Sequence, residues 1–313
     1  MRILILGAGG IGGYYGGWLV EAAKGDVDEA GADITFLVRA GRAEQLAREG
    51  LVIESPFGDL KQPVNAVTSC EGLTPPDIII LTCKAYALDG ALEAISPCVG
   101  PDTVILPLLN GVAHFQILEQ RFPNTVIWGG TAHIGVTMTA DGVIKHLNKL
   151  HVIMFGPRDG AESEAAAELL AAFTPTPVDA RVSPNIVQDL WDKLVFLATL
   201  AGSTCLMRAS IGTILETTFG REMILALLEE CRTIAEAEGY APDERRMVRY
   251  TEQLTEPGSP STASMLRDIQ RGSSTEAEHI IGDLVARAEN HQISASVLRA
   301  AYTHLQAYEA GLA

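Results

Sequence analysis

The stretch that most restricts this chain is Gly7-Ala8-Gly9-Gly10-Ile11-Gly12. It follows the apolar run Ile3-Leu4-Ile5-Leu6 directly and precedes Tyr14-Tyr15-Gly16-Gly17-Trp18-Leu19-Val20. That order is a buried strand, a glycine turn and a helix start, the setting in which G-x-G-x-x-G marks a dinucleotide site. The first glycine permits a tight turn, the second lets backbone approach a pyrophosphate, and the third allows close helix–strand packing. The helix N-terminus then offers N–H groups and positive dipole to the phosphates. A glycine turn that binds nothing is the structural alternative.

The second expected strand, Asp33 to Val38, ends in Arg39, with Arg42 close behind. An NAD site usually carries Asp or Glu there, to hold the ribose 2′-OH. Two guanidiniums instead suit a 2′-phosphate, which they bind bidentately, and this favours NADP (NADPH) over NAD. A solvated loop cation is the plain alternative for Arg39. Lys24 to Ala32 reads as an enlarged polar loop, which lengthens the spacing from Gly12.

The chain has 313 residues, enough for about two domains. Its formal net charge of −16 argues against nucleic acid or an anionic membrane as a partner. An anionic ligand therefore needs local cations. Neither a signal peptide nor an apolar run long enough to span a bilayer is expected. Cys70, Cys83, Cys98, Cys205 and Cys231 are scattered, with no C-x-x-C pair, and read as reduced cytoplasmic thiols. His114, His133, His146 and His151 have no metal-ligand spacing, and no metal site is expected.

The first half alternates short apolar strands with helices, as in a parallel sheet covered on both faces. Expected strands include Leu51 to Glu54, Asp77 to Thr82, Thr103 to Leu108 and Thr125 to Trp128. Two more lie around Gly142 to Lys145 and His151 to Phe155. Ala43 to Glu49 and Ala161 to Ala172 read as helices. Thr174-Pro175-Thr176-Pro177 and Ser183-Pro184 punctuate the chain. Beyond them Asn185 to Leu200, Arg221 to Glu238, Asp243 to Leu254, Ser261 to Arg271, Thr275 to Asn290 and Ser296 to Ala310 read as helices. The expected fold is α/β: an NADP-binding Rossmann domain over residues 1–178, then an all-α domain for substrate and dimerisation over 179–313.

A nicotinamide enzyme that reduces a carbonyl needs a proton donor and groups that fix the substrate. Lys193 lies in the otherwise apolar helix Leu190 to Ala198, where burial would lower its pKa toward that of a useful acid. Alternatively it snorkels to solvent and pairs with Asp189. Ser273-Ser274-Thr275-Glu276 reads as a capping box, Ser273 at the N-cap and Glu276 at N3. Lys84 and Asn110-Gly111 follow buried strands at the ends where such folds place ligand loops. A surface lysine and a simple turn are their alternatives.

These pieces together resemble the ketopantoate reductase (2-dehydropantoate 2-reductase) family. The resemblance rests on Gly7 to Gly12, Arg39, Thr82-Cys83-Lys84-Ala85, Leu109-Asn110-Gly111-Val112, Leu190-Trp191-Asp192-Lys193-Leu194, Ser264 to Ile269 and Ser274-Thr275-Glu276. It implies a Rossmann domain joined to a helical domain, with the active site in the cleft. It also implies NADPH-dependent reduction of ketopantoate to pantoate, for pantothenate and coenzyme A synthesis. By the same match Lys193 is the general acid, and Glu276 positions Lys193 or the substrate hydroxyl. Ser264 binds substrate near its carboxylate, Asn110 and Lys84 lie at the nicotinamide end, and Arg39 holds the 2′-phosphate. A homodimer is compatible with it.

The chain departs from the family pattern at three positions. Members often carry Asn one and two turns after the lysine, and three residues before the serine; here these are Leu197, Ala201 and Ser261. Losing such amides removes roughly 1 kcal/mol per hydrogen bond and suits a less polar 2-oxo acid. A non-catalytic NADPH sensor and a 3-hydroxy acid or glycerol phosphate dehydrogenase are the competing readings. The matched Ser264 to Glu276 segment favours the ketopantoate family over the latter.

Overall fold

In a computed structural model, residues 1–24 and 32–312 are described. Most of the expected polar loop Lys24 to Ala32 lies outside them. The chain divides into two units: Met1–Leu109 with Phe115–Ile186, and Asn110–His114 with Val187 onward.

The first unit contains β1 (Arg2–Leu6), α1 (Gly10–Ala22), β2 (Asp33–Leu37), α2 (Ala40–Glu49), β3 (Leu51–Glu54), β4 (Leu60–Gln62) and β5 (Asn65–Val67). After these come β6 (Ile78–Leu81), α3 (Leu88–Ile95), β7 (Val104–Pro107), α4 (His114–Arg121), β8 (Val126–Met138), β9 (Ile144–Pro157), α5 (Glu164–Phe173) and β10 (Asp179–Val182). The strands form one sheet in the order β4-β3-β9-β8-β7-β6-β1-β2-β5, with β10 beside β9. Ile3 to Leu6, all of β6 and all of β7 are buried, because helices cover both faces of these central strands. From β8 to β5 the pairing is parallel throughout, as the sequence predicts.

The far half differs from the all-parallel expectation. β8 and β9 run antiparallel, and β4 antiparallel to β3. The reason is local: residues 139–143 form a tight turn closed by Thr139 N–H to Val143 O at 2.9 Å, which can join only antiparallel neighbours. Leu147 to Leu150 bulge out of the ladder opposite Gly135, and Asn148 Oδ1 accepts from both Gly135 N and Leu150 N. The domain boundary also moves. Asp179–Val182 adds a strand parallel to β9, so the first unit runs to Ile186 rather than residue 178. The prolines on either side of it conceal a strand of only four residues.

The second unit is helical: α6 (Ile186–Met207), α7 (Ile211–Leu215), α8 (Gly220–Ala237), α9 (Glu244–Leu254), α10 (Ser264–Gln270), a π-helical turn (Glu278–Gly282), α11 (Asp283–Asn290) and α12 (Ser296–Ala310). α6 is longer than expected. Its length and apolarity would allow it to cross a membrane, but 67% of its most apolar stretch is buried within the protein, as in a core helix. All five cysteines are free thiols.

Candidate active-site residues

In the first unit the glycine loop leaves β1 where Thr82, just past β6, reaches across. Thr82 Oγ1 donates to Leu6 O at 2.8 Å. Gly7 has φ +101, a left-handed backbone that L side chains rarely adopt, and its N–H donates to Leu37 O at 2.9 Å. A Cβ on Gly12 would lie 2.3 Å from Gly7 O and 2.4 Å from Thr82 Oγ1, so only glycine lets α1 start this close to β1. A Cβ on Gly9 would meet nothing within 4 Å. The three glycines therefore do the three things a dinucleotide loop requires: turn, open approach and close packing. Gly9 is also the N-cap of α1 and provides no side-chain cap, which suits first-turn N–H groups that bind phosphate. This geometry fits the pyrophosphate of a nicotinamide dinucleotide. Ala8 is buried beneath the loop, while Gly10 and Ile11 open the helix.

Arg39 is exposed at the N-cap of α2, past the end of β2. Arg42 has a more structural place than the sequence predicts. Its Nη2 donates to Ala8 O at 3.0 Å and its Nη1 to Gln45 Oε1 at 2.7 Å, tying α2 to the glycine loop. Burial lowers its pKa, opposed by the nearby Glu49 carboxylate. Lys84 is partly exposed just beyond β6 and precedes a short 3₁₀ turn, Ala85–Ala87. Thr82 has no role that its sequence position alone predicts; a threonine directly after a buried strand is the available signal.

In the second unit Lys193 sits on α6. Burial pushes its pKa down to about 8, and the Glu276 carboxylate partly opposes that shift. The other acids of this helix face Arg246 on α9, which lies 2.6 Å from Asp192 and 3.6 Å from Asp189. Lys193 and Glu276 interact electrostatically within the helical unit.

Glu276 reaches this position by a route the capping box does not describe. Ser273 donates its N–H to Asp268 O at 3.0 Å and so belongs to the end of α10, where Gly272 (φ +68) turns the chain. Helical structure begins only at Ala277, whose N–H donates to Thr275 Oγ1 at 3.3 Å. Thr275 N and Oγ1 each donate to Glu309 Oε1 on α12, both at 2.6 Å. Held there, Glu276 is buried just ahead of the helix rather than at N3.

Ser264 is the first residue of α10, whose start is fixed to α6 by Ala263 N donating to Thr204 Oγ1 at 3.3 Å. Asn110 follows β7, but its segment, Asn110–His114, groups with the helical unit. There His114 Nδ1 lies 3.2 Å from His279 Nε2. Burial lowers the His279 pKa, with Glu276 and Asp283 opposing. This histidine pair carried no sequence signal, because the two rings stand 165 residues apart.

A Rossmann unit carrying such a loop, followed in the chain by a helical unit, defines a dinucleotide-dependent oxidoreductase. The family model described as ketopantoate reductase PanE/ApbA matches residues 3–160, and its C-terminal counterpart matches residues 185–309. An uncharacterized oxidoreductase, YkpB of Bacillus subtilis, is 35% identical over 310 residues, spanning 99% of both chains. The 2-dehydropantoate 2-reductase of Halobacterium salinarum is 27% identical over 305 residues, 96% of each chain. The crystal structure of 2-dehydropantoate 2-reductase from Methylococcus capsulatus superimposes with a TM-score of 0.87 at 27% identity, covering 100% of this chain and 98% of the other. The chain belongs to the ketopantoate reductase family, oxidoreductases that use NADPH.

Proposed function

We propose that this protein reduces a 2-oxo acid to the 2-hydroxy acid with NADPH, and that Lys193 is the proton donor. The feature that supports this reading is a lysine on a core helix whose pKa burial lowers to about 8, with the buried carboxylate of Glu276 opposing that shift. An ordinary lysine is a poor acid near neutral pH; one near 8 is matched to the task. NADPH, when bound, supplies the hydride to the keto carbon. Lys193 gives a proton from Nζ to the carbonyl oxygen as negative charge develops there. Glu276 favours the ammonium form and so keeps Lys193 charged until that step. Ser264 binds the substrate near its carboxylate, and Asn110 contacts both substrate and cofactor. The Gly7 to Gly12 loop holds the pyrophosphate, Lys84 lies toward the nicotinamide, and Arg39 takes the 2′-phosphate.

Family membership points to ketopantoate as the first substrate to test, its product pantoate serving pantothenate and coenzyme A synthesis. Leu197, Ala201 and Ser261 support the second reading, the same reaction on a less polar 2-oxo acid. The free thiols suit a reducing, cytoplasmic setting. NADPH oxidation against a 2-oxo acid panel, with NADH as control, tests the proposal. Turnover preferring NADPH is expected. Tight NADPH binding with no oxidation across the panel would instead indicate a sensor.

A further inference from the structure

Between Lys193 and Cys205, α6 is buried except at three residues beyond the lysine: Phe196, Leu197 and Leu200. At 3.6 residues per turn these share roughly 100° of arc with Lys193, so they continue the same stripe of the helix. Leu197 lies one turn on and leans back toward Lys193, as helical side chains do. The Phe196 ring packs against Tyr250 with centroids 5.3 Å apart, and Tyr250 is anchored by its hydroxyl to Asp192 O at 2.9 Å. Phe196 is therefore a braced wall, and Leu197 and Leu200 continue the partly exposed stripe that begins at Lys193.

Beyond Lys193, the hydroxyls along this part of the helix are back-bonded to it or buried. Thr199 Oγ1 donates to Val195 O at 2.8 Å, and Thr204 Oγ1 to Leu200 O at 2.7 Å. Ala201 and Ser203 are fully buried. The exposed Ser261 lies off this helix and engages its own loop, where its Oγ accepts from Ser259 Oγ at 3.1 Å. A substrate hydroxyl placed along α6 would lose water and gain no partner from this helix.

We propose that the substrate is a 2-oxo acid whose group beyond the keto carbon is a bulky hydrocarbon, branched alkyl or aryl, and that Leu197 and Leu200 select it. This inference rests on the reductase reading above and names the substrate class of that same site. The keto oxygen meets Lys193, and the hydrocarbon lies on Leu197 and Leu200.

The test is kcat/KM with NADPH for ketopantoate, trimethylpyruvate (ketopantoate with its hydroxyl replaced by hydrogen), 2-oxoisocaproate and phenylglyoxylate. The wild-type protein is expected to favour the hydrocarbon acids over ketopantoate by roughly 10- to 100-fold. Leu197→Asn is expected to move the trimethylpyruvate-to-ketopantoate ratio toward ketopantoate by about tenfold. If that variant does not fold, Leu200→Thr and the wild-type ratios decide. Wild-type preference for ketopantoate would overturn the inference while leaving the reductase reading intact. A ratio unmoved in a folded variant would do the same. No turnover of any of the four acids would sink the reductase reading and this inference with it.

Discussion

At the residue scale, the proposal turns on the protonation of Lys193. Its pKa of about 8 means that it is charged, and able to donate, below that pH and loses its proton above it. The rate of 2-oxo acid reduction is therefore expected to hold below about pH 8 and to fall as pH rises through it. Glu276 raises the lysine pKa, so Glu276→Gln should move this falling limb to lower pH. A pH–rate profile that stays in place in Glu276→Gln would contradict the coupling. Arg39 offers a separate test. Charged hydrogen bonds are worth about 1.5–3 kcal/mol, so Arg39→Ala should raise the KM for NADPH by roughly 10- to 100-fold while changing that for NADH little. Equal losses for both cofactors would assign Arg39 elsewhere.

At the element scale, the glycine loop and α1 were the most legible part of the sequence, because each glycine has its own steric task. Gly12→Ala would drive a methyl group into the backbone oxygen of Gly7, so α1 must shift. A loss of about 1–3 kcal/mol in urea unfolding is expected, together with weakened NADPH binding. The π-helical turn and its approach were the least legible. Ser273 to Glu276 has the pattern of a capping box, yet Gly272 ends α10 beneath Ser273 and Glu309 captures Thr275 from another helix. Such a long-range bond leaves no periodic trace. Glu309→Ala should cost about 1–3 kcal/mol by stranding two donors of Thr275. It should also disturb the pH profile, since Thr275 fixes the backbone next to Glu276. An unchanged urea midpoint would show that the tie carries no stability.

At the scale of the whole molecule, the two-part organisation was readable from the loss of strand signal after residue 184. The handover at Ile186 was not, since four residues of edge strand resemble a linker until β9 pairs with them. The segment Asn110–His114 was equally hidden: it groups with the helical unit through contacts far away in sequence. The proposed chemistry divides between the units: the pyrophosphate loop and Arg39 belong to the first, Asn110 and the proton donor Lys193 to the second. That division is open to one direct measurement: NADPH affinity and steady-state turnover of Lys193→Ala beside the wild-type protein, across pH 6 to 10. With Lys193 as the general acid, the variant keeps the wild-type Kd for NADPH. Its kcat falls by about 10²- to 10⁴-fold, and the limb near pH 8 disappears. A Lys193→Ala protein that turns over at near wild-type kcat, with the limb still present, would contradict the account.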